Sequence, residues 1–103
     1  MRNFLKKFPK QYLEEQEGYQ WLLQFGDQYR LSIINHKGSH GYPNLYEIGV
    51  FSDCDTMTSL PGITNEDDTV KGFLTPNQVD AIIIKMMTIT DQQPLSCIAS
   101  NKG

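Results

Sequence analysis

The sequence LTPNQVDAIIIKM, residues 74–86, carries the signals that start a helix. Thr75 supplies a hydroxyl at the N-cap, Pro76 suits the first helical position, and Gln78 lies three residues after the cap, which completes a capping box. The pattern therefore predicts a helix over residues 75–90 with one face to bury. The side chains that form this apolar face follow the helical spacing i, i+3, i+4 and i+7, and they are Val79, Ile82, Ile83 and Met86.

Upstream of this helix the apolar period changes to two. Apolar side chains alternate with polar ones in three runs, 19–25, 29–34 and 45–51, and a fourth short strand is predicted over 69–73. Between the first two runs, Gly26-Asp27 predicts a two-residue hairpin turn of type II′. The sequence therefore predicts an α+β fold: an antiparallel meander of about four strands, a C-terminal helix packed on one face and a short N-terminal helix.

The ends of the chain complete the predicted organisation. Apolar residues of the N-terminal segment lie at helical spacings, but Pro9 interrupts them and suits the first turn of a helix that ends at Gly18. The tail is predicted to be either a fifth short edge strand from Leu95 or a frayed end. We expect one domain, 1–103, divided into a helical segment 1–18, a three-stranded meander 19–52, a long acidic loop 53–68, a strand and helix 69–90, and a tail 91–103.

Charge and composition exclude several classes of protein. The 103 residues hold nine Lys and Arg against twelve Asp and Glu, and this net charge of −3 does not favour general nucleic-acid binding. The longest apolar run, 81–84, falls far short of the roughly 18 residues that a membrane helix needs. Cys54 and Cys97 form no CxxC pair, so neither a disulfide framework nor a zinc cluster is expected. We expect a protein of the reducing cytoplasm that does not bind membranes.

The loop from His36 to Asn44 contains residue types that suit an anionic ligand. Its glycines allow backbone N–H groups to approach a phosphate, although Gly, Ser, Pro and Asn are also what any loop between strands needs. Neither GxxxxGK[ST] nor GxGxxG before a helix is present. In the ligand-binding interpretation, basic side chains contact the anion and a tyrosine stacks on a base. The candidate residues are Arg30, His36, Lys37, Gly38, Ser39, His40, Gly41, Tyr42 and Tyr46.

No complete catalytic or metal-binding constellation is predicted. His36 and His40 have helical spacing, but the glycine between them argues against a helix. Ser39 and His40 are adjacent, and adjacent side chains of an extended chain point to opposite faces. The carboxylates of the 53–68 loop lack the order of an EF-hand. We therefore expect a protein that is not an enzyme and has no metal or cofactor.

Two surfaces are predicted to meet a partner. The sheet has two faces, and the sequence leaves open whether the N-terminal helix covers the second one. If it does not, an apolar patch on that face predicts self-association or a protein partner; the patch consists of Leu22, Ile34, Leu45 and Phe51. In the acidic loop, Met57, Leu60 and Ile63 are predicted to be exposed and to dock on a basic partner.

Two segments suggest a type of protein. NLYEIGV (44–50) follows a loop that contains Gly and Tyr, and VKGFLTP (70–76) opens the C-terminal helix. Over residues 19–90 this order of elements resembles small accessory proteins of tailed bacteriophages. The resemblance implies a non-enzymatic binder or inhibitor of a host protein in the host cytoplasm, and it transfers no catalytic residue. We expect the protein to form a homo-oligomer, and a minor component of the virus particle is an alternative role.

Overall fold

The fold is an antiparallel sheet with two helices, seen in a computed structural model that describes residues 4–52, 56–65 and 67–98. The sheet has the order β1-β2-β3-β4-β5, and β6 pairs with β2 on the same edge as β1 but further along the strand. This arrangement confirms the predicted α+β class. The elements are α1 (Phe4–Lys7), β1 (Gln11–Leu13), β2 (Gly18–Phe25), β3 (Tyr29–His36), β4 (Tyr46–Ser52), β5 (Val70–Leu74), α2 (Pro76–Thr90) and β6 (Pro94–Ser96).

The core lies on one side of the sheet, as the alternating pattern predicts. Trp21 pairs with Ile33 across β2 and β3, and Ile33 pairs in turn with Ile48 on β4. Leu23, Leu31 and Val50 form the next such row. The predicted apolar face of α2 packs over these rows, and all four of its residues, Val79, Ile82, Ile83 and Met86, are buried.

The predicted start of α2 is confirmed in detail. The Gln78 N–H donates to the Thr75 hydroxyl over 3.2 Å, and the Thr75 N–H donates to the Gln78 side-chain carbonyl over 2.8 Å. The helix ends at Asp91, which adopts a left-handed conformation with φ of 55°. None of the described helices is both long and apolar enough to cross a membrane. The tail forms an edge strand, β6, which begins one residue before the predicted start at Leu95.

The N-terminal segment differs from the predicted helix over residues 9–18. Only α1 is helical, and β1 pairs with β2 through a turn in which Glu17 has a positive φ of 56°. Tyr12 lies directly opposite Tyr19, and their rings meet edge to face at 5.2 Å. This cross-strand aromatic pair stabilises a hairpin, whereas Pro9 prevents the first helix from continuing.

The β2–β3 turn is one residue longer than predicted. The Gln28 N–H donates to the Phe25 carbonyl across Gly26 and Asp27, and Gly26 has a positive φ of 59°, as a turn with glycine first requires. Strand pairing, however, begins only at Phe25 with Tyr29, so Gln28 is an additional loop residue.

The 53–68 loop contributes to the core more than its polar composition predicts. The Ser52 N–H donates to Thr56 O, and the Thr58 N–H donates to Val50 O. Residues 56–58 of the loop therefore pair with the end of β4. Leu60 and Ile63 are only 8% and 1% exposed. The predicted exposure of these two side chains is therefore wrong, because they pack into the main core. Cys54 and three of the loop carboxylates considered for metal binding, Asp53, Asp55 and Glu66, lie outside the described residues.

Candidate functional site

Both helices lie on the same side of the sheet. The Phe4 N–H donates to the Asp80 carboxylate over 3.1 Å, which joins α1 to α2. The Trp21 indole N–H donates to Leu5 O over 2.9 Å, which joins α1 to the core face of β2. Across the parts of the chain that the structure describes, no helix covers the opposite side. We call that side the open face.

The open face carries three of the four side chains predicted to form an interface. The strand register places Leu22, Ile34 and Phe51 on it, all of them half-buried. They surround two small residues, Ser32 and Gly49, which face each other across β3 and β4. The register does not include the fourth predicted interface residue, because Leu45 precedes β4; it lies against the 36–44 loop beside Gly41.

Met57 forms one margin of the open face. A Cβ atom added to Gly49 would lie 3.1 Å from Met57 Cε, so the thioether side chain reaches over this glycine. Met57 itself is 41% exposed. A flexible, polarizable side chain therefore borders the apolar residues of the sheet, as is common on surfaces that adapt to a partner.

The 36–44 loop satisfies many of its polar groups internally. The Ser39 hydroxyl donates to His36 O over 2.7 Å and accepts from the His36 N–H over 3.1 Å. The Glu47 carboxylate accepts from the His40 N–H over 2.7 Å, and His40 Nδ1 lies 2.8 Å from the same oxygen. Lys37 Nζ lies 3.6 Å from Glu17. These contacts fix the loop against the sheet and engage groups that an anion would need.

The candidate ligand-binding residues do not all come together. The continuous segment 36–42 does form one loop, with positive φ at Gly38 and Gly41. Arg30 lies six residues from His36 along β3, which corresponds to about 20 Å at 3.3 Å per residue. Tyr46 lies on the core side, where its ring meets Trp21 edge to face at 5.9 Å. The structure thus separates the proposed anion-binding arginine and one stacking tyrosine from the loop.

Phe73 is an exposed aromatic residue that the sequence pattern does not single out. Tyr46 pairs with Leu74 and Ile48 with Lys71, so β5 has one more residue than β4 over this stretch, which makes a β-bulge. Phe73 has a positive φ of 58° and is 65% exposed. A bulky residue in this conformation is a genuine outlier and is usually retained for a reason. Gly72 is the available signal, because an isolated glycine in a strand indicates a bulge.

The bulge and the 36–44 loop support each other. The Phe73 N–H donates to His40 O over 3.2 Å, and the two rings lie 5.9 Å apart. A Cβ on Gly72 would lie 2.3 Å from His40 Cβ, so only glycine allows the loop to approach the strand this closely. The resulting corner, His40, Glu47 and Phe73, lies beside the open face, because Glu47 occupies that side of β4.

We expect Phe73→Gly to be more stable than Phe73→Ala by about 1 kcal/mol. A left-handed conformation costs roughly 1–2 kcal/mol for a residue with a Cβ and little for glycine. At an ordinary strand position the order is reversed, since glycine there is about 0.5–1 kcal/mol less stable than alanine. Urea unfolding of the two variants measures the difference. An alanine variant that is the more stable of the two would contradict the left-handed conformation at this bulge.

A second site that the sequence pattern does not indicate is a groove of about 660 Å³ on the helix side of the sheet. Its walls come from α1, the segment that follows α1, β2, β4 and the start of α2. The sequence does not indicate this groove, because the apolar spacings of residues 4–13 predict a helix in the segment that forms part of its wall.

Neither site has the composition of a metal centre. Among the described residues, no three side chains of His, Cys, Asp or Glu lie close enough together to hold a metal ion. The open face offers apolar and aromatic side chains beside polar ones such as Arg30 and Glu47, whereas the groove combines aromatic walls with lysines. No protein-family model, curated protein or solved structure matches this chain.

Proposed function

We propose that this protein is a small non-enzymatic binding protein that docks on another protein through its open face. One observation carries the proposal: α1 and α2 both cover the same side of the sheet, while apolar residues of three adjacent strands line the other. Sheet faces of this kind attract protein partners. The partner is a second copy of the chain or a host protein, and the resemblance to phage accessory proteins favours an inhibitory role.

The margin of the open face supports a protein partner. Phe73 and Met57 are both exposed beside it, and aromatic residues and methionine are enriched at protein interfaces. The Phe73 ring lies beside the His40 ring and yet is 65% exposed, so most of its apolar surface is available to a partner. A ring fixed in this way loses little conformational entropy on binding.

The energetics indicate a modest affinity. Full burial of Leu22, Ile34 and Phe51 would contribute roughly 1.5–3 kcal/mol each, but they are already half-buried, so only part of this remains. Association costs at least about 4 kcal/mol in lost freedom of motion. Self-association through these three residues of each copy alone is therefore expected to be no tighter than about 0.2 mM, and a tighter complex needs further contacts from Phe73 and Met57.

The geometry gives less support to capture of a phosphorylated ligand or nucleotide by the 36–44 loop. Ser39, His40 and Lys37 each contact the protein itself, and Arg30 lies near the other end of β3. An anion would have to displace these contacts before it could bind. We therefore favour protein binding as the function.

We expect Phe51→Glu to abolish self-association without unfolding the protein. Light scattering across a concentration series should show a mass that rises toward the dimer for the native chain and stays monomeric for the variant. The introduced carboxylate lies directly across from Arg30 on β3, so the isolated sheet tolerates it.

Ile89→Glu is the matched control, because Ile89 is exposed on α2, on the other side of the sheet. This variant should associate as the native chain does, and circular dichroism should show all three proteins folded. Two results together would contradict the proposal. The native chain would be strictly monomeric, and the Phe51→Glu variant would have the same mass and keep every binding partner of the native chain.

A further inference from the structure

We propose that the groove beside α1 binds a small organic anion that carries a flat ring. The groove lies on the helix side of the sheet, so it is separate from the open face. It is open to solvent and has a volume of about 660 Å³, within the range of about 300–1,000 Å³ that is typical of small-molecule sites. Its walls include aromatic, proline and lysine side chains, among them Phe8, Pro9, Lys10, Trp21 and Tyr46.

The aromatic wall is held in a fixed orientation. The only hydrogen-bond donor of the Trp21 side chain is engaged by Leu5 O, so the indole presents apolar surface to the groove and no free N–H. Tyr46 meets Trp21 edge to face at 5.9 Å, a favourable arrangement for aromatic rings. The aromatic wall therefore offers a flat ring apolar surface and no competing indole N–H donor.

The charge of the groove selects an anion. Residues 4–13, which supply much of the groove lining, contain three of the nine basic residues of the chain and none of its twelve acidic residues. Lys10 Nζ lies 4.6 Å from the ring centre of Tyr19 and 5.5 Å from that of Trp21. These cation–π contacts hold the ammonium group at the rim, where its N–H groups can still bind an oxygen anion.

Two other classes of ligand fit the groove less well. A cation would compete with Lys10 for the aromatic rings. A nucleic-acid strand that ran from the groove toward the β1–β2 turn would meet exposed Glu14, Glu15 and Glu17, which would repel its phosphates. A single anionic group attached to a flat ring fits best, as in a nucleoside monophosphate or an aromatic carboxylate.

Trp21 provides the test, because it is the single tryptophan of the chain and lines the groove. Its fluorescence would be followed during titration with AMP and with benzoate, and calorimetry would give the affinities. We expect a saturable change with at least one of these anions, and which one responds identifies the nucleotide or the carboxylate as the source of the ligand. Adenosine has the ring without the phosphate, and inorganic phosphate has the anion without the ring. If AMP is the ligand, each should bind at least about tenfold more weakly than AMP.

Variants locate the site. Lys10→Gln should weaken binding about tenfold, the loss expected for one charge-assisted contact, whereas Lys71→Gln, an exposed lysine on β5, should bind as the native chain does. Phe51→Glu should bind the anion as the native chain does, so the test of the groove is independent of the proposed protein-binding function. No saturable response to either anion, a saturable AMP response that adenosine matches, or a Lys10→Gln variant with native affinity would overturn the proposal.

Discussion

Alanine in place of Gly18 is expected to destabilise the protein by about 3 kcal/mol, at the upper end of what steric overpacking costs. Gly18 is the first residue of β2 and pairs with both Leu13 and His36. A Cβ atom at this position would lie 2.2 Å from His36 Cα and 2.3 Å from Asn35 O. Both are backbone atoms, so no side-chain rotation relieves the clash, and the sheet must separate between β2 and β3.

Gly49→Ala is the matched control for this variant. Gly49 also lies buried in a central strand, but a Cβ there would meet Met57 Cε at 3.1 Å, and this methyl group can move away. We expect its cost to stay within about 1 kcal/mol, since glycine itself is unfavourable in a strand. Urea unfolding of both variants measures the difference, and equal stability of the two would contradict the close approach of β2 and β3 at Gly18.

A second large effect is expected for Ile83→Ala, with a loss of about 3 kcal/mol. Ile83 is 0% exposed at the centre of the apolar face of α2, and its truncation leaves a cavity against the sheet. For a domain of this size each kcal/mol corresponds to about 4–8 °C in Tm, so the Tm should fall by roughly 12–24 °C.

The adjacent residue provides the control for Ile83. Ile84 has the same side chain in the same helix but is 43% exposed. Ile84→Ala removes little packing and gains helix propensity, so its free energy of unfolding should change by less than about 0.5 kcal/mol. Thermal unfolding followed by circular dichroism measures both variants. A larger loss for Ile84→Ala than for Ile83→Ala would mean that the helix presents a different face to the sheet.

The elements that can be predicted from the sequence have local signals. The two hydrogen bonds of the capping box join Thr75 and Gln78, three residues apart, so the start of α2 is encoded almost independently of the fold. The period of two in the central strands also identifies which side chains share a face. This alternation alone predicts that Leu22, Ile34 and Phe51 lie opposite the core, and the strand register confirms it.

The features that cannot be predicted depend on distant contacts. The apolar spacings of residues 4–13 suit a helix. The β1–β2 hairpin forms instead because Tyr12 packs against Tyr19 across the strand pair. Leu60 and Ile63 are isolated apolar residues in a polar loop, and their burial depends on where the loop crosses the core. The side of the sheet that α1 covers is set by the hydrogen bond from Phe4 to Asp80, which are 76 residues apart.

The same distinction between local signals and distant contacts applies to the candidate sites. The open face is predictable in outline, because strand alternation defines it. The groove is not, because its walls meet only when the segment after α1 crosses β2 near Trp21. The exposure of Phe73 is not predictable either, because a one-residue bulge depends on the register between β4 and β5 and not on the sequence of β5 alone.

The binding role of the open face can be tested residue by residue with amide NMR spectra of the native chain in a dilution series. We predict concentration-dependent shifts centred on Leu22, Ile34 and Phe51, with α2 unaffected. Spectra that do not change with concentration, or shifts centred on the exposed side of α2 at Ile84 and Ile89, would contradict self-association through this face.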